Sequence, residues 1–304
     1  MARLGSSVLL VLTAAVAACG GSSPSNGSDA SPPSGGGPAG AATIYVDGRI
    51  GPATCTDYSP SSRGCGGGSA RAFRSLQGAA EVAGPGDVVH VREGTYGERL
   101  VPARSGTEAQ PVTWAAAPGE TATLTGTDEP AIYLKGRSYL QIEGFTVTNV
   151  VGWARLEDST HNTVVRNRCS NATASGTTAS IKLVRSSFNR ILENTLEEGN
   201  DNVVLQESDR NVVQGNTLVR GRHSLLSLRC GNYNVIRGNT FSNPNQKDLE
   251  IYDCEGTSDA PVKLDATKRN LVEGNVIADT HPSTANYRYN GIQYGGQQGI
   301  VRRN

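Results

Sequence analysis

One eight-residue pattern recurs through the second half of the chain and constrains the fold more than any other feature. It alternates asparagine with aliphatic residues, reading NRILENTL from Asn189, NVVQGNTL from Asn211 and NVIRGNTF from Asn234. With the second asparagine as register, successive positions are 22, 27, 22, 23, 36 and 29 residues apart: Phe145, Asn167, Asn194, Asn216, Asn239, Asn275 and Asn304. Such a period is typical of a solenoid, because one repeat cannot bury its apolar face alone and must stack on its neighbours.

The residues between the octets indicate which solenoid the protein forms. Each repeat carries two short stretches of period-2 alternation, such as Val203 to Leu205 and Val213 to Leu218, and no amphipathic run long enough for a helix. This pattern excludes the helical repeats. Inward positions that vary among Val, Ile, Leu and Phe do not fit a leucine-rich repeat, so an all-β parallel β-helix is predicted.

The asparagines of the octets are interpreted as structural. Stacked coils place equivalent residues about 4.8 Å apart, so we expect internal columns whose amides bond to each other and to the backbone. Each bond should contribute about 0.5–1.5 kcal/mol net. Buried amides need such partners, which argues against a catalytic role for these residues.

The start of the sequence has the pattern of an export signal. Residues 1–18 combine a short basic start with an apolar stretch, and the small residues before Cys19 indicate a bacterial lipoprotein signal peptide with lipid on that cysteine. An ordinary secretory peptide is the alternative. Residues 19–42 are rich in Gly, Ser and Pro and predict a flexible linker. We expect an exported protein, lipid-anchored to the outer membrane or cell surface, that touches membrane through the lipid alone.

The β-helix domain is predicted to span residues 43–304. Within the segment from Phe73 to Ala83, apolar residues at helical spacing predict a short N-terminal capping helix over the first coil. Cys55 and Cys65 bracket a loop, and a disulfide is favoured over a metal site because no histidine cluster accompanies them.

Two features of the later sequence leave alternatives open. Cys230 and Cys254 flank one inserted coil, and whether they pair stays open. Asn304 is itself an octet position, so the C-terminal end of the solenoid is expected to be uncapped, which leaves open whether the sequence is a fragment of a longer β-helix. The formal net charge is zero, which argues against nucleic acid as the main partner.

Three segments carry a resemblance to a known superfamily: AFRSLQGAAEVAGPGDVVHVREGTY, SGTEAQPVTWAAAPGETATLTG and SYLQIEGFTV. They resemble the amino-terminal half of right-handed parallel β-helix proteins of the pectate-lyase-like superfamily, nearest to the chondroitinase-B and alginate-lyase branch. The resemblance covers roughly residues 43–304. It implies a right-handed, single-stranded coil and a polysaccharide lyase that acts on acidic glycans.

The strands that precede the octets predict columns of outward side chains. The columns are Lys182, Val204, Ser227 and Lys263; then Val184, Gln206, Arg229 and Asp265; then Arg185, Glu207, Cys230 and Ala266. Two ion pairs between neighbouring coils are expected, Arg185 with Glu207 and Arg229 with Asp265. Exposed pairs of this kind are worth about 0–1 kcal/mol and carry no function by themselves.

The resemblance assigns chemistry to one of these columns. The segment from Ser224 to Phe241 is similar to one in the lyase branch, where an arginine at the position of Arg229 acts as general acid. The branch places a lysine base one coil earlier, where this sequence has Glu207. That departure leaves Glu207 itself, if desolvated, or a substitute as the base. The substitutes are Lys182, Lys263 and His223. Substrate contacts are expected from His223, Gln206 and Arg185.

The interval from Asn239 to Asn275 is about thirteen residues longer than a normal coil. It is rich in carboxylates, and the predicted ligands of a calcium ion are Asp248, Glu250, Asp253 and Glu255. Such an ion could neutralise a substrate carboxylate. A solvated acidic loop without metal is the alternative.

These observations predict a surface-anchored, carbohydrate-active β-helix protein, with a lyase acting on uronate-containing glycans as the implied enzyme. A non-catalytic glycan-binding protein and a structural or adhesive solenoid are the alternatives. The sequence leaves the polysaccharide open and also leaves open whether the protein is catalytic.

Overall fold

The computed structural model describes residues 41–252, 267–278 and 290–304. The predicted signal peptide and most of the predicted linker, including Cys19, lie outside the described residues, as does Cys254. Within the described ranges, no helix combines the length and the apolar character needed to cross a membrane.

The described chain winds through three sheets, one strand in each per coil. The first sheet contains Thr54–Tyr58, Ala70–Phe73, Thr43–Val46, Val88–Val91, Val112–Ala116, Leu140–Glu143, Thr163–Val165, Arg190–Leu192, Val212–Gln214, Val235–Arg237, Leu271–Glu273 and Ile300–Arg302. The second contains Gly94–Tyr96, Ala122–Thr125, Thr146–Val150, Arg168–Ala172, Thr195–Glu197, Thr217–Val219, Thr240–Ser242 and Val276–Ala278. The third contains Ile132–Lys135, Ala154–Glu157, Ile181–Val184, Val203–Gln206, Ser224–Arg229, Lys247–Tyr252 and Asn290–Tyr294.

Strand pairing confirms the predicted parallel β-helix. Each strand pairs in parallel with its counterpart one coil away, apart from the antiparallel pair of Thr54–Tyr58 and Ala70–Phe73. Inward side chains stack in fully buried aliphatic columns, one of which runs Leu134, Leu156, Leu183, Leu205, Leu228 and Ile251. Each such residue contributes roughly 1.5–3 kcal/mol by leaving water, so the core is built from many equal layers.

The predicted asparagine columns are also confirmed. One column contains Asn162, Asn189, Asn211, Asn234 and Asn270, and the other contains Asn167, Asn194, Asn216, Asn239, Asn275 and Asn304. Asn194 Oδ1 accepts from the backbone N–H of Asn167 at 2.9 Å and from its Nδ2 at 3.0 Å. Its own Nδ2 donates to Asn216 Oδ1 and to the Val164 carbonyl, both at 3.0 Å. Each amide therefore ties its coil to both neighbours.

The predicted capping helix is present but shorter than expected. It spans Leu76–Ala80, and its first turn is capped by the Ser75 hydroxyl, which accepts from the Gly78 N–H. Phe73 is not helical, because it ends a strand that pairs with Val46. A 3-10 turn occurs at Gly176–Thr178. The predicted disulfide between Cys55 and Cys65 is confirmed.

A buried charge network holds the first coils together. Asp47 is fully buried and accepts hydrogen bonds from Tyr58 Oη at 2.7 Å and from Arg63 Nε at 2.9 Å. Arg92 donates to the same tyrosine at 3.0 Å and forms an ion pair with Glu120. Burial alone would raise the pKa of Asp47, but hydrogen bonds from Arg63 and Tyr58 outweigh it and lower that pKa.

Replacing Asp47 with asparagine should lower the free energy of unfolding by about 3 kcal/mol at pH 7, because it removes one partner of a buried ion pair. A carboxyl group with a depressed pKa contributes its stability above the unfolded value, about 3.9, and loses it as pH falls through the folded value. The difference between wild type and variant should therefore shrink below about pH 4. Urea unfolding at several pH values measures it. The exposed Glu108→Gln is the control, and an equal loss at all pH values would contradict the assignment.

Candidate functional site

The outer face of the third sheet carries two columns of side chains, and we call the surface between them the groove. The first column is Tyr133, Arg155, Lys182, Val204, Ser227 and Glu250, and the second is Lys135, Glu157, Val184, Gln206, Arg229 and Tyr252. Because parallel strands repeat about every 4.8 Å, these side chains form a closely spaced and mainly polar floor.

The predicted columns are correct through the strand Ser224–Arg229 and wrong for the coil that follows it. Ser227 pairs with Glu250, and Arg229 pairs with Tyr252, where Lys263 and Asp265 were expected. The reason is that Lys247–Tyr252 is itself the strand of the next coil, so the extra residues follow this strand. Lys263, Asp265 and Ala266 lie outside the described residues.

Three residues from consecutive coils converge at one end of the groove, and we call Asp201, His223 and Glu250 the Asp–His–Glu cluster. His223 Nδ1 lies 2.8 Å from Asp201 Oδ1 and 3.5 Å from Glu250 Oε1. The Asp201 and Glu250 side chains are 4% and 1% exposed, whereas that of His223 is 33% exposed. The two carboxylates are thus buried beneath an accessible imidazole.

Further polar groups fix the two carboxylates. Ser227 Oγ lies 3.1 Å from Asp201 Oδ2 and 2.9 Å from Glu250 Oε1. The Ser224 N–H donates to Asp201 Oδ1 at 3.0 Å, and Lys247 Nζ donates to Glu250 Oε2 at 2.5 Å. Each carboxylate is therefore held in one orientation.

A pocket of about 280 Å³ opens over the cluster. It is lined by Thr177, Asn200, Asp201, Val204, Gln206, His223, Ser227, Arg229, Glu250 and Tyr252. Tyr252 is flanked by two cations, because the Arg229 guanidinium lies 5.5 Å and the Lys247 ammonium 5.4 Å from its ring centre. The pocket thus presents cations and buried carboxylates side by side.

The ionisation of the cluster follows from these contacts. The hydrogen bond to Asp201 raises the pKa of His223 against the opposing effect of burial. Burial alone would raise the pKa of Glu250, but hydrogen bonds from Lys247 and Tyr252 are among those that lower it. Both shifts favour the charged forms of His223 and Glu250.

Lys182 lies beside this pocket and has a different environment. Its Nζ donates to Thr177 Oγ1 at 2.7 Å, and Thr177 lines the pocket. Burial lowers the pKa of the Lys182 ammonium, and the positive charges of Arg155 and Arg229 lower it further, opposed by Asp201. This lysine gives up its proton more easily than an ordinary surface lysine does.

The structure places the other predicted site residues as follows. Gln206, His223 and Arg229 line the pocket. Glu207 does not, because it is an exposed residue that follows the strand with φ of 50°. The expected pair of Arg185 with Glu207 is wrong, since Arg185 bonds instead to Asp158 of the preceding coil at 2.8 Å.

The predicted calcium ligands are only partly brought together. Glu250 joins the cluster, whereas Asp248 lies outside the set of donors that are mutually within 4.8 Å. Asp253 and Glu255 lie outside the described residues. The first half of the acidic segment is a strand of the third sheet in which Asp248 and Glu250 are buried, so it is not part of a solvated loop.

Comparison with known proteins places the protein in a family. The family described as periplasmic copper-binding protein (NosD) matches residues 116–290, which is more than half of the sequence. The chain belongs to the NosD family. The matched segment contains most of the third sheet and the whole Asp–His–Glu cluster.

This NosD family member also resembles one curated protein. It is 25% identical over 203 residues to YwoF of Bacillus subtilis (strain 168), described as an uncharacterized protein. The match covers 62% of this chain and 41% of YwoF. The sequence thus spans about two fifths of the length of that relative.

Several solved structures share the fold of this NosD family member. An alginate lyase from Paenibacillus sp. str. FPU-7 has a TM-score of 0.51 at 15% identity, covering 75% of this chain and 95% of the lyase. The PL6 family alginate lyase AlyGC has a TM-score of 0.52 at 17% identity, covering 86% of this chain and 38% of that one. A rhamnogalacturonan lyase has a TM-score of 0.50 at 14% identity, covering 85% and 87%. At these identities the likeness shows a common β-helix fold.

The family description implies copper, and the donor atoms present decide which form would fit. Cu(I) favours thiolate and thioether sulfur. The only methionine is Met1, and the free thiol of the described residues, Cys169, is buried. Cu(II) accepts imidazole and carboxylate donors, which the Asp–His–Glu cluster provides. The cluster thus fits a divalent ion that binds nitrogen and oxygen.

Proposed function

We propose that this protein is exported, binds an acidic polysaccharide along the groove and cleaves it by β-elimination. Lys182 is the base, and Arg229 binds the carboxylate of the substrate. The observation that carries the proposal is the row of cations on the groove floor. Arg155 and Lys182 are cross-strand neighbours, and Arg229 lies two coils further on. A polyanion laid across the coils would meet all three.

The groups of the groove can meet the requirements of elimination. The reaction breaks a C–H bond alpha to the uronate carboxylate and the C–O bond of the leaving glycoside, and it forms a C=C bond. Arg229 would neutralise the carboxylate and so stabilise the carbanion that develops. The neutral amine of Lys182 would take the proton. The same ammonium can then protonate the departing oxygen, which balances the reaction without a further acid.

Export is supported by two observations. The family description names the periplasm. The disulfide between Cys55 and Cys65 suits an oxidising compartment. Lipid anchoring at Cys19 to the outer membrane or cell surface is part of this proposal, and the support for it is the signal-peptide pattern of the sequence.

A second candidate function is binding without catalysis. It is favoured by Gln206, which stands one coil before Arg229. By the resemblance, the lysine base of the lyase branch would stand on that coil. Here the coil carries Gln206 and the exposed Glu207 instead, and neither replaces the lysine. A structural or adhesive solenoid is the third candidate, and its outer face would carry only ion pairs such as Arg185 with Asp158.

The deciding experiment incubates the purified full-length protein with alginate, chondroitin, dermatan and pectate and follows the ultraviolet absorbance of unsaturated uronates. Each polymer is assayed with added calcium, the cofactor that the sequence predicts, and with a chelator. We expect absorbance to rise on one polymer. If the absorbance does not rise but the folded protein still binds a polymer, the non-catalytic binding protein is favoured. If the folded protein binds none of the polymers, the structural or adhesive solenoid is favoured.

Arg229→Ala should lower kcat/KM on that polymer about 100-fold or more, because it removes a charge contact at the reacting carboxylate. Arg237→Ala is the matched control, since Arg237 lies on the following strand but on the outer face of the first sheet, where it bonds to Gln214 at 2.8 Å. Steady-state kinetics measure both. Equal activity of the two variants would remove Arg229 from the mechanism.

A further inference from the structure

We propose that Asp201, His223 and Glu250 form a binding site for one divalent transition-metal ion, with Asp201 Oδ1, His223 Nδ1 and Glu250 Oε1 as ligands. The expected order of affinity is Cu²⁺ above Zn²⁺, and both well above Ca²⁺. The site stands independently of the proposed elimination, which uses Lys182 and Arg229.

The separations of the three donor atoms suit a shared ion. All three lie within 4.8 Å of one another, and His223 Nδ1 is 2.8 Å and 3.5 Å from the two carboxylate oxygens. Ligands about 2.1 Å from a tetrahedral metal ion lie about 3.4 Å apart. Placing an ion among the three therefore needs only small side-chain shifts and the loss of the Nδ1 proton, which the ion displaces to solvent.

The backbone supplies the donors from rigid positions. His223 lies directly before Ser224–Arg229, and Asp201 lies two residues before the neighbouring strand Val203–Gln206. Glu250 lies within the next strand, Lys247–Tyr252. The coil spacing fixes the distances between these strands, so the three side chains meet without a flexible loop. Metal sites built on such elements hold their geometry better than sites on loops.

The contacts around the carboxylates are those that orient metal ligands. Lys247 holds Glu250 Oε2 at 2.5 Å, which leaves Oε1 turned toward His223. The Ser224 N–H fixes Asp201 Oδ1 at 3.0 Å. Partners of this kind set the direction of ligating oxygens and affect metal affinity.

The Ser227 hydroxyl lies between the two carboxylates. Ser227 Oγ lies within hydrogen-bond distance of Asp201 Oδ2 and of Glu250 Oε1, at 3.1 Å and 2.9 Å. One hydroxyl group has a single proton, so it can donate to only one of these two buried oxygens. A cation seated between the carboxylates would contact both of these oxygens at once.

The nature of the donors sets the type of ion. Calcium and magnesium take oxygen ligands, whereas imidazole suits zinc and copper. For one set of nitrogen and oxygen donors, affinity rises toward Cu²⁺ and falls again at Zn²⁺. The pocket above the cluster leaves a further coordination position open to water or to an anionic ligand.

The test titrates the chelator-stripped full-length protein with Cu²⁺, Zn²⁺ and Ca²⁺ in a calorimeter and records the electron paramagnetic resonance of the Cu²⁺-loaded protein. We expect an ion bound with the signature of one coordinated imidazole. His223→Gln should abolish that signature and weaken Zn²⁺ binding by at least about 10- to 100-fold. His161→Gln is the matched control, since His161 is stacked between Tyr139 and Phe188 on the outside of the coils.

The outcomes separate this proposal from the proposed function. Unchanged binding and an unchanged imidazole signature in His223→Gln would overturn the site, as would Ca²⁺ binding more tightly than Zn²⁺. Asp201→Asn is the second variant, and circular dichroism and thermal unfolding without metal establish that each variant folds. Elimination by the metal-free protein would support the roles of Lys182 and Arg229 without contradicting the metal site. Metal binding without elimination would support the metal site and contradict the roles of Lys182 and Arg229.

Discussion

Replacing Lys182 with methionine is expected to lower kcat on the preferred polymer by about 10²- to 10⁴-fold, the usual contribution of a positioned general base. Methionine keeps the unbranched aliphatic stem and removes the amine that donates to Thr177. The loss should fall on kcat more than on KM, because Arg155 and Arg229 still attract the polyanion. Steady-state kinetics of the full-length protein measure it.

The pH profile gives an independent readout of the same role. A lysine base acts in its neutral form, so activity should rise as pH increases through the lowered pKa of Lys182. The rising limb should be absent from the residual activity of Lys182→Met. Lys268→Met is the matched control, because Lys268 lies in the turn before Leu271–Glu273 of the first sheet. A variant that keeps both kcat and the rising limb would show that another group is the base.

Replacing Asn194 with alanine is expected to lower the free energy of unfolding by about 3–6 kcal/mol, since each orphaned buried polar group costs about 1–3 kcal/mol. The change deprives the backbone N–H and the Nδ2 of Asn167 of their acceptor, and Asn216 Oδ1 and the Val164 carbonyl of a donor. These groups lie in the core, where water cannot replace the amide.

Denaturant unfolding of the full-length protein followed by circular dichroism measures this loss. The matched control is Asn245→Ala, because Asn245 is exposed and its amide donates to the Arg222 carbonyl at the surface. The control should change the free energy of unfolding by less than about 0.5 kcal/mol. A loss below about 1 kcal/mol for Asn194→Ala would mean that the column relaxes or admits water, and would contradict its role as a buried hydrogen-bond network.

The fold was predictable because the sequence repeats at the period of the coil. Spacings of 22 and 23 residues place one asparagine above another, and Asn194, Asn216 and Asn239 stack as the octets indicate. Secondary structure outside the repeat was harder to predict from the local sequence. Phe73 has helical spacing to Leu76, yet it belongs to a strand because Val46 offers a partner distant in sequence.

The site was only partly predictable, for a physical reason that concerns register. Repeat spacing aligned Lys182, Val204 and Ser227 correctly, but it does not say where in a longer coil the extra residues lie. Glu250 was consequently placed among the calcium ligands of the insertion rather than in the strand beside Ser227. Asp201 precedes His223 by 22 residues, one repeat, so the same register could have brought these two together.

The asparagine columns also give the solenoid an electrical direction. In both columns the amide oxygen accepts from the preceding coil, as Asn167 Oδ1 accepts from the Phe145 N–H and Asn194 Oδ1 from the Asn167 N–H. Backbone hydrogen bonds between coils run in both directions, as in the Glu193 N–H to Gln214 and the Arg190 N–H to Asn162, and largely cancel. The amides, at about 3.5 D each, add up. A polarised axis thus runs through the core, with its negative pole toward the capping helix.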